Sequence, residues 1–516
     1  MKKILIIGGG IAGLSAGIYA AKAGFQPVIY EKESIPGGCC QAWRRGSYTI
    51  DNCMHWLTGT RPDTGSYKEW EELGVIRKDD VFIKRDAFYS SELNGETITL
   101  WRDIDRTERE MLAISPEDKK EIHKFIECTK IAAGLSLPGE GVLHRKDSQE
   151  EFHGSNSTLD TILSIFRFLR PNLESIIKHF KHPLLQKVFT DFMAKDYEAY
   201  WCVLSYSFFI AGNADLLEGG SKAIVDRLLE TYQSLGGKIH LHTPVSSIIV
   251  NPKKENILRW LPSPKDLSLK KIKKIWAQYA EGIVLSDGKT VKGDYVICAC
   301  DVHHTFKHLL DKKYASHFLK STFTKKKYTI YSSFHVAFSV QGIFEEVPDT
   351  LTFDCTPIDV GMESIDRLCL KNYRLYGDFI APEGETVLQC SIVQYTKDVS
   401  FWKKLAKTPE AYRQHKKNIA DAILYRIEER FPSYTGKIKV LDTWTPYSYI
   451  KRLNCYHGAY MRCITTAAST SAFLSTEIKH LPNVYLANHW LRYPGGMPTA
   501  ASLGKLVIEK IKANQS

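Results

Sequence analysis

Six residues near the amino terminus, Gly8-Gly9-Gly10-Ile11-Ala12-Gly13, have the types and the spacing to cradle a pyrophosphate. Gly8 permits a tight turn out of a strand, Gly10 has no side chain to keep a phosphate off the backbone, and Gly13 lets the following helix pack closely on a sheet. A helix that starts here points unpaired N–H groups and a positive dipole end at negative charge. Glu31, eighteen residues beyond Gly13, is placed to accept hydrogen bonds from ribose hydroxyls. The chemistry implied is the binding of an ADP-containing dinucleotide. These residues do not separate NAD from FAD, because both carry ADP.

Two further groups of residues point to FAD. Ile35-Pro36-Gly37-Gly38-Cys39-Cys40 offers paired glycines, hence another close backbone approach just past the ribose. It is followed by Gly46-Ser47-Tyr48-Thr49-Ile50-Asp51, then His55 and Gly59. Near the other end, Asn483 to Asn488 reads as a strand, and Tyr493-Pro494-Gly495-Gly496-Met497-Pro498 as a glycine loop entering a helix near Pro498. That helix start is a second place where negative charge can sit. A reduced flavin develops negative charge at its pyrimidine end, which such an arrangement stabilises.

With these motifs the chain resembles the phytoene desaturase, carotenoid isomerase and retinol saturase superfamily of FAD-dependent oxidoreductases. The resemblance covers roughly residues 1–60, 210–310 and 440–516, and Gly37-Gly38-Cys39-Cys40 is most similar to retinol saturase-like members. It implies that FAD is held by Gly8, Gly10, Ile11, Ala12, Gly13, Glu31, Lys32, Gly37, Gly38, Val245, Asn488, Gly495, Gly496 and Met497. It also implies hydride or electron exchange at a carbon–carbon bond of a long apolar molecule: desaturation, saturation or isomerisation. His55 stands in a family-like position and is the one candidate catalytic residue; a packing role is its alternative. Asp51 is expected to fix the local turn. Cys53 stands where the family usually has glycine, Asn488 where it often has glycine or an acid, and the carboxy-terminal loop is one glycine shorter.

These residues need elements to position them. Lys3 to Ile7 reads as a buried strand, Ile11 to Ala23 as an alanine-rich helix stopping at Gly24, and Pro27 to Tyr30 as a second strand. Glu218-Gly219-Gly220-Ser221 and the helix after it, with Thr243 to Ile248, resemble the family segment that passes the adenine. Arg85 to Arg102 predicts a hairpin around Asn94-Gly95, and Ser115-Pro116-Glu117-Asp118 opens a helix to about Ala133. Tyr328 to Phe344, Tyr373 to Ile380 and Thr386 to Tyr395 read as strands, and Pro409 to Arg430 as a charged amphipathic helix. The expected fold is α/β. A Rossmann-like FAD-binding domain (1–75, 210–320 and 440–516) is interleaved with a substrate domain of mixed sheet and helices (76–209 and 321–439).

Composition limits the rest. With 44% hydrophobic and 25% charged residues over 516 positions, the chain is an ordered globular protein with more than one core. No run of eighteen apolar residues predicts a membrane span, and twelve cysteines without an export signal read as reduced thiols of a cytoplasmic protein. No metal ligand spacing is present, and no metal is expected. A net charge of +11 spread along the chain, without a nucleic-acid motif, argues against nucleic acid and leaves peripheral contact with an anionic membrane surface open. Two stretches bear on that contact. One is Leu159 to Trp201, either an interfacial patch or a pair of ordinary helices; the other is the lysine-rich insertion Pro252 to Tyr279, otherwise a solvated edge loop. The partner expected is an apolar small molecule, and nothing in the residues sets an oligomeric state. Two other readings stay open: an amine-oxidase-like flavoenzyme with a small substrate, and a non-catalytic lipid carrier on the same fold.

Overall fold

The computed structural model describes residues 1–134, 171–252, 278–324, 328–464, 474–492 and 495–515. The sequence readings that fall on Leu159 to Arg170, on most of the lysine-rich insertion and on Tyr493-Pro494 lie outside these residues.

The first strand, Lys3–Ile7, is apolar on both faces, as a strand covered from both sides must be. It lies in a six-stranded sheet between Gln26–Tyr30 and Tyr295–Cys298, parallel to both. Lys238–His240 extends the sheet on one side, Leu481–Leu486 on the other, both parallel, and Glu477–Ile478 closes the edge antiparallel. This is the doubly wound arrangement in which ligands bind beyond the carboxyl ends of the strands. Three helices, Ile11–Lys22, Gly220–Ser234 and Gly496–Ala513, pack together against it. The first and last interlock closely: Ser15 Oγ donates to the Ala501 carbonyl (2.7 Å), and a Cβ on Gly504 would stand 2.5 Å from Ser15 Oγ.

A second, seven-stranded mixed sheet runs in the order Ile438–Trp444, Tyr331–Gln341, Glu385–Tyr395, Glu363–Asn372, Thr350–Val360, Ala87–Leu93, Glu96–Trp101. The helix Pro409–Arg430 backs it, burying Ile419, Ile423 and Ile427. The hairpin around Asn94-Gly95 forms as expected, with both turn residues at positive φ. The helices Lys119–Gly134, Pro183–Phe192 and Ala199–Ile210 build a further core against this hairpin. Within Leu159 to Trp201, the described residues Leu173, Phe180, Leu184 and Leu185 face into that core. No helix among the described residues is long and apolar enough to cross a membrane.

One expected strand is corrected. Tyr373 to Ile380 is not a strand: the chain leaves the sheet at Asn372, whose Oδ1 accepts from Arg374 N–H (3.1 Å), and turns through a 3₁₀ segment, Arg374–Tyr376. Such an Asx turn competes with the β-ladder, and Gly377 at φ +88 completes the departure. The long strands Thr350–Val360 and Glu363–Asn372 carry too many polar residues to have been read as strands.

Candidate functional site

A cavity of about 670 Å³ opens where the two sheets meet, within the range of roughly 300–1,000 Å³ usual for ligand sites. Its first wall is backbone. The chain turns out of the first strand at Gly8 (φ +107), whose N–H donates to the Tyr30 carbonyl (2.9 Å). Gly10 caps the helix Ile11–Lys22 without a side chain, so the N–H groups of its first turn stay available. A Cβ on Gly10 would meet nothing nearer than Gly38 Cα at 3.7 Å, so the space beside it is open. Gly37 N–H donates to the Gly9 carbonyl (2.8 Å), and a Cβ on Gly38 would come within 3.2 Å of Gly10 Cα. The glycine pair therefore folds back onto the first glycine turn. Both its residues have positive φ.

Glu31 is buried at the edge of this wall, with Oε2 accepting from Gly9 N–H (2.6 Å) and Oε1 from Glu33 N–H (2.9 Å). Burial pushes its carboxyl up from the usual range, against the pull of those two N–H groups and Lys32. The bonds hold the carboxylate in place and leave it lone pairs for hydroxyls of a ligand. From the other end of the chain, Asn488 Oδ1 accepts from Trp490 N–H (2.9 Å), and Gly495 (φ +94) caps Gly496–Ala513, again without a side chain. Two helix starts thus open on one cavity.

Gly8, Gly10, Ile11, Ala12, Glu31, Lys32, Gly37, Gly38, Val245, Asn488, Gly495, Gly496 and Met497 all line the cavity. Gly13 does not; it lies behind the wall, where a Cβ would collide with the Gly8 carbonyl oxygen. His55 also lines the cavity and is exposed there. Burial, then the charges of Lys371, His335 and Arg85, push its imidazole well below the ordinary value. Asp51 does fix its turn: Oδ1 accepts from Ser221 Oγ–H (2.6 Å), Cys53 N–H and Met54 N–H, and Oδ2 from Ser221 N–H (2.8 Å).

The remaining wall is made of side chains. Trp56, Phe88, Phe192, Trp201, Leu204 and Phe208 give it an apolar, largely aromatic surface. Trp56 and Phe88 stand 5.4 Å apart between ring centres, and Phe88 and Phe192 4.9 Å. His335 lies on the same cavity, stacked on Trp444 at 4.8 Å, with its imidazole pushed down to about 3 by burial. Lys371 is buried with Nζ donating to the Met54 carbonyl (2.6 Å) and to Tyr376 Oη (2.5 Å). Burial lowers its ammonium to about 7. His335, Lys371 and the aromatic residues went unread in the sequence, because they come from separate strands and helices with no local spacing.

The donor set suits the FAD expected from the sequence. It offers two helix starts without a capping side chain for negative charge, an open backbone cradle at Gly10, and a fixed carboxylate at Glu31 for ribose hydroxyls. When bound, FAD supplies two-electron redox chemistry, and the chain's own part is to seat it, exclude water and orient what lies beside it.

Comparison with known proteins agrees with this geometry. The family model described as flavin containing amine oxidoreductase matches residues 11–507. Among curated proteins, the chain is 24% identical over 552 residues to 4,4'-diaponeurosporene oxygenase of Staphylococcus aureus strain bovine RF122 / ET3-1, covering 100% of this chain and 99% of that one. The protein of the same name from strain MRSA252 is 23% identical over 537 residues, with the same coverage. Among solved structures, an oxidoreductase from Methanosarcina mazei superposes with a TM-score of 0.58 at 15% identity, covering 98% of this chain and 100% of that one. Putrescine oxidase bound to putrescine gives 0.59 at 13%, covering 99% of each. At such identities the structural matches speak for the fold.

Proposed function

This chain belongs to the flavin-containing amine oxidoreductase family, and from that premise we propose that it acts on carbon–carbon bonds of a long, apolar, polyene- or lipid-like substrate. It is an FAD-dependent oxidoreductase. The observation that carries the substrate reading is the apolar wall facing the glycine wall, from Trp56 and Phe88 to Trp201 and Phe208. Such a wall binds by removing apolar surface from water, and the basic Arg85 and Lys371 on the same cavity repel a small cation. That the curated relatives carry the name 4,4'-diaponeurosporene oxygenase supports the same class.

In this reading Gly8, Gly10, Ile11, Ala12, Glu31, Gly37 and Gly38 hold the ADP half with Lys32 and Val245 beside them. Asn488, Gly495, Gly496 and Met497 hold the flavin end. Gly13 keeps the first helix close enough to its strand for the cradle to exist. His55 lies on the cavity, where a substrate passes. The chain divides into an FAD-binding domain of residues 1–75, 210–320 and 440–516 and a substrate domain of residues 76–209 and 321–439. Its place in the cell is the cytoplasm, at or near a membrane that stores such a substrate.

The test is to mix the purified yellow protein anaerobically with polyenes, retinoids, unsaturated fatty acids and, as a control, putrescine. Loss of flavin absorbance with a polyene or lipid, and a product changed by two hydrogens, is expected. Bleaching by the amine alone would overturn the proposal in favour of a small-substrate oxidase.

A further inference from the structure

Three basic side chains meet on the apolar cavity: His55, Arg85 and Lys371. Arg85 and Lys371 are only 3% and 5% exposed, and neither forms an ion pair with a described carboxylate. Lys371 gives two of its three ammonium hydrogens to neutral oxygens, the Met54 carbonyl and Tyr376 Oη, and otherwise faces the rings of Tyr373 and Tyr376 (4.5 and 4.8 Å) rather than a described carboxylate. Arg85 donates Nη2–H to the Ala214 carbonyl at 3.3 Å, while its Nε finds no partner among the described residues. The carboxylates within electrostatic reach are engaged or set apart. Asp51 is saturated by Ser221, Cys53 and Met54, and Asp349, itself buried and pushed up by burial, touches neither cation at ion-pair distance.

Buried positive charge that no carboxylate pairs is costly to desolvate, and an unsatisfied buried donor adds to that cost. A fold retains such groups where a ligand completes them. Burial lowers all three groups; the charges of Lys371 and Arg85 add to it at His55 and that of Arg85 at Lys371, while Asp51 and Asp349 oppose it at Lys371 and Tyr376 and Asp349 oppose it at Arg85.

We infer that His55, Arg85 and Lys371 recognise a carboxylate on the end of the apolar substrate, so that the substrate class is a long unsaturated carboxylic acid rather than a plain hydrocarbon. The inference rests on the apolar-substrate reading above and narrows it. The aromatic wall takes the chain, and the three basic groups take its charged end through charge-assisted hydrogen bonds. Trp56 follows His55 in sequence, and Phe88 lies three residues after Arg85, so the two kinds of surface are contiguous.

The experiment uses the FAD-loaded protein and a fluorescent pair, cis-parinaric acid and its methyl ester, identical but for the charge. The wild-type protein should bind the acid about 10-fold or more tightly than the ester, as charge-assisted contacts of this kind imply. Lys371→Met and Arg85→Gln should each weaken the acid by about 10-fold, leaving the ester's Kd and the flavin absorbance unchanged. Equal binding of acid and ester by the wild type, which needs no variant to fold, overturns the inference but leaves the apolar-substrate reading intact. Binding of neither sinks both. Loss of flavin from folded Lys371→Met protein would assign the charge to the cofactor and end the inference as well.

Discussion

The glycine wall and the side-chain wall of the cavity solve opposite problems. At residues 8–38 and 495–496 the surface is main chain: its donors are N–H groups of turns and helix starts, and its shape depends on what side chains are missing. Across the cavity the surface is aromatic rings with three basic groups among them, supplied by residues from 55 to 371 that share no local motif. A backbone surface is fixed once the chain folds, and it suits a cofactor that never changes. A side-chain surface can be rewritten one residue at a time without disturbing the fold, and it suits a substrate that differs among relatives. The difference teaches where to look for specificity in such a protein: on the second wall.

Substitutions can break this contrast or sharpen it. The largest effect is expected at Gly13, where any Cβ strikes the Gly8 carbonyl; Gly13→Val should cost about 3 kcal/mol or more and leave little soluble protein, read by expression and thermal melting. Next is Gly10→Val. Its side chain has room, so the melting temperature without flavin should change little, while flavin occupancy measured at 450 nm falls to about a tenth or less, since the cradle for the phosphates is filled. A Gly10→Val protein that keeps its full flavin means that the phosphates lie elsewhere. Glu31→Gln should weaken FAD by about 10- to 100-fold, the worth of a charge-assisted hydrogen bond or two, by titration of the apoprotein.

The smallest effect belongs to the other wall and is read through pH. His335 sits at about 3 in the folded chain, below its ordinary 6.5, so it contributes stability that is fully present above pH 6.5 and is lost as pH falls toward 3. His335→Gln should therefore flatten the acid side of the stability curve, by about 1–2 kcal/mol between pH 7 and 5, with no change of slope above pH 7. An unchanged acid slope in urea denaturation would mean that His335 reaches water.

How much of this was legible in the sequence follows the same contrast. Gly8 to Gly13, Glu31 and Gly37-Gly38 are contiguous or nearly so, and each residue type has one physical reason to stand where it does. Reading them gave the first strand and the first helix and, together with the loop at Gly495-Gly496, the nature of the cofactor. The folding of Gly38 onto Gly10 was not legible, since it needs the loop's path in space. Lys371 and Arg85 were missed because an isolated lysine on a strand with polar neighbours looks like surface; only burial reveals it. Tyr373 to Ile380 was misread because β-branched and aromatic residues outweighed the turn signal of Asn372 and Gly377. His55 was singled out as a candidate through family likeness of position rather than through chemistry.

The interlock of Ser15 with Ala501, and the insertion of Leu481–Leu486 beside Tyr295–Cys298, carry a consequence for biosynthesis. The glycine turn Gly8 to Gly13 is made early, yet one strand of its sheet, Leu481–Leu486, and its partner helix, Gly496–Ala513, are made long after it. Flavin capture must therefore wait until both segments have been made, and the earlier part of the chain has to be kept from aggregating until then.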